Sequence, residues 1–356
     1  MDERLSRSLT GNFVLLLAIV GVVSTSLILR RLPSYSVLDA QVLVILFVFL
    51  VIVRGLETHG IVYVAARIVQ NHSHRGLVMV LVTAVLSMFI TNDVALLAVV
   101  PLTLRLDMPK KRELVVYETI AANAASVLTP FGNPQNLLIF CFYNLSLLTM
   151  LLAIVPFAAI ELLLVLIWAA RVPDGIVPNL RVSGAVDRYG LTYAVLFVLF
   201  CLAVVRVLPL WVGIVPLCYA AFFDRESLRI DYSLLLTFVA FFGFTDNMMQ
   251  VFTLQLNCSF DVFCSAVILS QIVSNVPATL LLVDFTSDWA ALLWGVSVGG
   301  LGGLFGSMAS IISYQIYNRT TGDGHAYLKQ FHIYSLLALL AGVVAFFLIV
   351  GLCPSS

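Results

Sequence analysis

Four interruptions in bilayer-length apolar sequence constrain this chain more than any other feature. Two are polar tips, Thr91-Asn92-Asp93-Val94-Ala95 and Ser274-Asn275-Val276-Pro277-Ala278. Two are helix-breaking runs, Thr129-Pro130-Phe131-Gly132-Asn133-Pro134-Gln135-Asn136 and Gly302-Gly303-Leu304-Phe305-Gly306-Ser307. Unpaired backbone N–H and C=O groups are costly in hydrocarbon, so such breaks persist only where they are buried in protein or line a cavity. A tip followed by a break occurs twice, which points to one central site assembled from two halves.

Of the 356 residues, 61% are hydrophobic and 11% charged, and several apolar runs reach about 18 residues, enough to span a bilayer as helix. The expected class is an all-α polytopic membrane protein, with the lipid bilayer and a small molecule or ion as partners. Formal net charge is zero, so nothing suggests nucleic acid. The longest polar connection, 171–188, is shorter than the roughly 50 residues a separate domain needs. The first apolar run ends at Arg30-Arg31 without a small-residue cleavage site and reads as a retained helix. Neither the six cysteines nor His59, His325 and His332 have metal-ligand spacing, and no phosphate-binding loop appears, so no cofactor is expected. The cysteines mostly sit in apolar stretches and read as small packing residues, with a Cys258–Cys264 pair on an outer loop as the less favoured alternative.

Nine spanning helices are expected, at about 12–30, 39–67, 115–143, 147–170, 189–207, 209–223, 234–257, 288–317 and 331–352. The segments 76–106 and 260–285 carry their polar tips near the middle, which leaves limbs of about 12–15 residues. Each limb covers roughly 20 Å, short of a hydrocarbon core of about 30 Å, so both read as re-entrant hairpins. Arg67, Arg75, Arg105, Lys110, Lys111 and Arg112 flank the first, and only Asp261, Asp284 and Asp288 carry charge around the second. By the positive-inside rule the first hairpin enters from the cytoplasm and the second from outside. The same topology puts Arg171, Arg181, Arg188, Arg225, Arg229, Arg319 and Lys329 inside, the N-terminus inside and the C-terminus outside. Arg30, Arg31 and Arg206 disagree.

An inverted-topology repeat follows: 1–170 as the first unit, 171–208 as loop and connecting helix, and 209–356 as the second unit. Asn92 then aligns with Asn275, Phe131-Gly132-Asn133 with Phe305-Gly306-Ser307, and Gly55-Leu56-Glu57 with Gly243-Phe244-Thr245. Free N–H groups at the start of each second limb suit an anion or a polar oxygen, and unwound carbonyls suit sodium. The expected substrate site comprises Thr91, Asn92, Asp93, Asn136, Ser274, Asn275 and Ser310. The expected sodium or proton site comprises Thr91, Asn92, Asp93, Gly132, Asn133, Ser274, Asn275, Gly306 and Ser307.

Through Thr-Asn-Asp-Val-Ala, Gly-Asn-Pro-Gln-Asn, Ser-Asn-Val-Pro-Ala and Phe-Gly-Ser, the chain resembles the citrate transporter-like membrane proteins of the ion transporter superfamily. That group includes divalent anion:sodium symporters, arsenical pump membrane proteins and a class of sodium/proton antiporters. The resemblance implies substrate held between opposed hairpin tips, coupling to sodium or protons, elevator-like motion and often a homodimer. The dicarboxylate branch has Ser-Asn-Thr at its tips, and here Asp93 stands beside Asn92. An ionised Asp93 would repel a dianion unless neutralised, so the Asn-Asp pair looks more like the arsenical pump and antiporter branches. As an alternative, Asp93 caps the second limb.

The expected function is secondary active transport of a small anion or oxyanion: a carboxylate, sulfate or an arsenite-like species. The first alternative is a sodium/proton antiporter, and a remote one is an intramembrane hydrolase using Ser307 with His332. Arg54 and Glu57, three apart on a helix, can pair, and with Asp246 they are candidates for a charge relay. Glu161 has no evident partner. Glu118 reads as an interfacial residue near the basic rim.

Overall fold

The computed structural model describes residues 2–60, 74–106, 108–174, 187–251 and 256–351, with side chains from residue 15 onward. Arg67, Arg181, the far end of the helix expected over 39–67 and residues 252–255 of the one expected over 234–257 lie outside the described residues. Within them the fold is all-helical, because in a water-poor surrounding a helix satisfies each backbone group from its own chain. Polar caps start several apolar helices. The Ser36 hydroxyl accepts from Asp39 N–H in a reciprocal capping box, Ser146 from Thr149, Asp187 from Gly190 and Asp288 from Ala291.

Fifteen α-helices are described. The first group comprises α1 (Asp2–Leu29), α2 (Val37–Thr58), α8 (Arg188–Val204), α9 (Ile214–Phe223) and α10 (Tyr232–Val251). In it α1 lies along α10, and α2 packs on α8, α9 and α10. The second group opens with α3 (Arg75–Ile90), α4 (Asn92–Arg105), α5 (Lys111–Ser126), α6 (Pro134–Phe142) and α7 (Leu147–Ala169). It continues with α11 (Ser259–Val273), α12 (Asn275–Leu282), α13 (Trp289–Gly299), α14 (Met308–Thr321) and α15 (Gly324–Ile349). Here α3 packs on α4 and α5 as α11 packs on α12 and α13, and α15 lies against α5 and α7. The groups meet mainly where α2 touches α6 and α10 touches α12.

Among the described residues four helical segments are long and apolar enough to cross a membrane: 37–58, 147–169, 225–251 and 324–349. Their outer faces stay apolar. Leu148, Leu152 and Leu163 on α7 and Leu340, Val344 and Leu348 on α15 are all exposed, the inverse of a water-soluble surface and the expected face toward acyl chains.

Contacts sort the helix ends into two sets. At one end Asp174 accepts from the backbone of His74 and Arg75, Arg112 pairs with Asp323, and His59 sits between Asp187 and Asp224. At the other, Arg31 pairs with Asp246, Arg206 donates to the carbonyls of Asn144 and Leu145, and Tyr143 donates to those of Val283 and Thr286. The helix ends carrying Arg75, Arg105, Lys111, Arg188 and Arg319 belong to the first set.

Two expectations and one alternative need correction. The fourth limb, α12, has 8 residues rather than about 12–15 and continues as the tight turn Val283–Phe285. Cys264 carries a free thiol, so it does not pair with Cys258. Glu118 is completely buried, not interfacial, because α3, α4, α7, α14 and α15 surround α5.

Candidate functional site

Each tip is a single residue between two helices. Thr91 (φ 92°, ψ 146°) separates α3 from α4, and Ser274 (φ 77°, ψ 158°) separates α11 from α12. Positive φ is uncommon for a residue with a branched or polar side chain and costs of order 1–3 kcal/mol. The following asparagines behave alike. Asn92 Oδ1 accepts from the Asp93 N–H at 3.0 Å, and Asn275 Oδ1 from the Val276 N–H at 2.9 Å.

The breaks correspond as well. Asn133 (φ −149°, ψ 145°) precedes α6, and Ser307 (φ −145°, ψ 141°) precedes α14. A Cβ on Gly132 would lie 2.1 Å from the Ser126 carbonyl oxygen, and one on Gly306 2.6 Å from the Gly299 oxygen, so both positions exclude any side chain. Each second limb lies beside the helix that follows the other break: α4 packs on α14, and α12 on α6.

In the first half the Asn92 N–H donates to the Gly132 carbonyl at 3.2 Å. Asn133 Nδ2 donates to Ser126 Oγ at 2.5 Å, and Asn136 Nδ2 to the carbonyls of Ser126 and Thr129 at 3.0 and 3.2 Å. In the second half Gln271 does the stitching. Its Nε2 donates to the carbonyls of Gly299 and Leu301 at 2.6 and 3.0 Å, and its Oε1 accepts from the Gly303 N–H at 2.7 Å.

Asn123, on α5, joins the two halves. Its Oδ1 accepts from Asn92 Nδ2 and from Ser307 Oγ, both at 2.9 Å, and its Nδ2 donates to Ser310 Oγ at 3.5 Å. The structure therefore brings Asn92, Ser307 and Ser310 onto one residue that the motif reading passed over. Its signal was the spacing of Thr119, Asn123 and Ser126 among the alanines and isoleucine of the second half of α5. No hydrogen bond joins Asn92 to Asn275 directly.

Buried polar atoms without partners cluster at the start of α6: both side-chain heteroatoms of Gln135, and Asn136 Oδ1. Such atoms are rare unless water or a ligand completes them. A cavity of about 20 Å³ lies nearby, bounded by Thr91, Asn133 and Pro134 on one side and by Leu46, Phe49, Val204 and Leu234 of the first helix group on the other. It has room for about one water molecule.

The remaining candidates lie elsewhere. Arg54 Nη1 pairs with Glu57 Oε2 at 2.8 Å. Asp246 pairs with Arg31 and accepts from the Ser34 N–H at 2.9 Å, at the opposite end of the helices. The three do not form one relay. Glu161 has no hydrogen-bond partner on either oxygen. Asp93 opens the first turn of α4, where a carboxylate complements the helix dipole. Ser307 bonds to Asn123 and His332 to its own helix at the Leu328 carbonyl, so they form no hydrolytic pair.

At the basic end, His59 Nδ1 lies 2.9 Å from Asp187 Oδ2 and Nε2 3.0 Å from Asp224 Oδ2. Burial pulls the imidazole pKa down, but the hydrogen bonds and charges of both aspartates outweigh it and raise the value above 6.5. Asp187 is held below the usual carboxylate range by the Gly190 N–H and by His59.

A sequence model of the citrate transporter family matches residues 1–299. The inner membrane protein YbiR of Escherichia coli is 33% identical over 372 aligned positions, covering 98% of both chains. An uncharacterized transporter of Methanocaldococcus jannaschii is 30% identical over 305, covering 82% of this chain and 85% of the relative. A silicon efflux transporter of Oryza sativa subsp. japonica is 31% identical over 131, which is 35% of this chain and 27% of the relative.

Proposed function

We propose that this chain, which belongs to the citrate transporter family, moves a small oxyacid or carboxylate by secondary active transport coupled to sodium or protons. It is a membrane transporter and not an enzyme. The observation that carries the mechanism is the paired geometry of the tips and breaks. Thr91 and Ser274 share one strained conformation, Asn133 and Ser307 share one extended conformation, and each second limb packs beside the other break. That pairing supports an inverted repeat with two re-entrant hairpins and a central site, the basic end facing the cytoplasm.

Substrate binds near the start of α6, where the free atoms of Gln135 and Asn136 complete their hydrogen bonds on its oxygens. The tips offer neutral amides and hydroxyls rather than fixed cations, which suits a weakly charged or uncharged oxyacid. The rice relative named for silicon efflux is consistent with that class. The second helix group moves against the first across the α2–α6 and α10–α12 contacts, carrying the site with it.

Purified protein in liposomes, given an imposed sodium or proton gradient, tests this with citrate, succinate, sulfate, arsenite and silicic acid as probes. Gradient-dependent accumulation of at least one is expected, and its loss in Asn92→Ala and Asn275→Ala. Downhill flux alone, indifferent to either gradient, would replace the transporter mechanism with a channel.

A further inference from the structure

We propose that Glu118 is a proton-binding group that ties the protonation state of the transporter to the grip on the α3–α4 hairpin. The inference rests on the transporter reading above and names a coupling ion for it. Glu118 is completely buried on α5. Its Oε1 accepts from the Thr103 hydroxyl on α4, and its Oε2 has no hydrogen-bond partner. A charged carboxylate with one hydroxyl donor bears a large desolvation cost. Forming the Oε2–H bond with a proton taken from water removes the charge, and releasing it restores the charge when the hairpin gives water access.

The surroundings favour a proton over a structural salt bridge. Thr103 faces Glu118 from α4, whose own charged residues, Asp93 and Arg105, stand at its two ends. From α15 the titratable group that feels Glu118 is Tyr327. Tyr327 shares its hydroxyl with Ser313 of α14 at 2.7 Å, and Ser313 bonds to Thr119 at 2.6 Å. Beyond Tyr327 stands Tyr317 of α14. The charged residues of α3 and α7 are Arg75, at the first position of α3, and Glu161, halfway along α7. No salt bridge to Glu118 forms among the described residues.

Glu118 also sits where a charge can act on the site. The limb α4 is held to α5 first by Asn92 on Asn123 near the tip, second by Thr103 on Glu118 near the other end, and beyond that by Lys111 Nζ on the Leu104 carbonyl. A change of charge at Glu118 alters the second bond and the packing of the same limb that carries the tip. Glu161, equally buried, lacks these features. A Cβ built on Gly342 would lie 3.3 Å from its Oε1, and no hydroxyl bonds to it.

Infrared difference spectroscopy of the full-length protein in lipid tests the proposal without any substrate. Spectra are compared between about pH 5 and about pH 9, a range that covers documented buried glutamates. A component of the pH-dependent carboxylic C=O band is expected in the wild type and in Glu161→Gln and should be lost in Glu118→Gln, leaving only what the other buried carboxyls contribute. The same pH-dependent band in Glu118→Gln would overturn the assignment. Should that variant fail to fold, Thr103→Val leaves the carboxyl in place without its donor. A shifted midpoint then supports the proposal, and an unmoved one overturns it. In liposomes carrying a pH dye, Glu118→Gln should reduce substrate-driven proton movement to the level of empty liposomes while substrate exchange continues. Because the spectra need no flux, failure of the transporter reading and failure of the Glu118 assignment are told apart.

Discussion

Replacing Asn123 with alanine removes the acceptor shared by Asn92 Nδ2 and Ser307 Oγ and the donor to Ser310 Oγ. Asn92 and Ser307 are 4% and 1% exposed, so both donors lose their partner away from bulk water. A buried donor without a partner costs about 1–3 kcal/mol, so Asn123→Ala should destabilise the protein by about 2–6 kcal/mol. Water entering the vacated polar space would bring the loss toward the lower figure. Against a total stability of about 5–15 kcal/mol, the effect is measurable as a lowered unfolding temperature in detergent. The decisive form is a double-mutant cycle with Ser307→Ala. Once the acceptor is gone, removing the hydroxyl also removes an unsatisfied group, so the double variant should be more stable than the sum of the singles, by about 0.5–3 kcal/mol. Additivity within about 0.5 kcal/mol would mean that Asn123 does not bridge the halves, and the site would have to be rebuilt without it.

Gly132→Ala places a methyl 2.1 Å from the Ser126 oxygen that Asn136 Nδ2 also uses, whereas Gly306→Ala meets the Gly299 oxygen at 2.6 Å. Both should destabilise by about 1–3 kcal/mol or more, as overpacking does, with Gly132→Ala the worse in thermal unfolding. Equal tolerance at both would remove the steric account of the breaks. The His59 cluster sets a pH window at the basic end. His59 has a raised pKa, so its contribution is complete below 6.5 and is lost as pH rises through the folded value. Asp187 and Asp224 have lowered values, so theirs is complete above 3.8 and is lost as pH falls through them. The unfolding temperature should therefore decline on the alkaline side of 6.5 in the wild type and decline less in His59→Gln; identical pH profiles would show that the cluster contributes nothing.

Local chemistry made the tips and breaks legible in the sequence alone. Glycine and proline clustered with polar residues break a helix where the single Pro101 and Pro156 do not, and a polar tip in hydrocarbon-length sequence has few places to go. Thr91, Asn92, Ser274, Asn275, Gly132 and Gly306 could accordingly be named before any fold was known. The Arg54–Glu57 pair was legible for a similar reason, since three residues along one helix fix its geometry. The positions that only the tertiary structure decided are those whose partners come from distant sequence. Asn123 meets Ser307 across 184 positions, Asp246 meets Arg31 across 215, and His59 meets Asp187 across 128. A polar residue in an apolar helix declares that it needs a partner but not which helix supplies one. For Asn123 and Glu118 the answer depends on which helices surround α5, and that is settled by packing two helix groups together rather than by any local pattern.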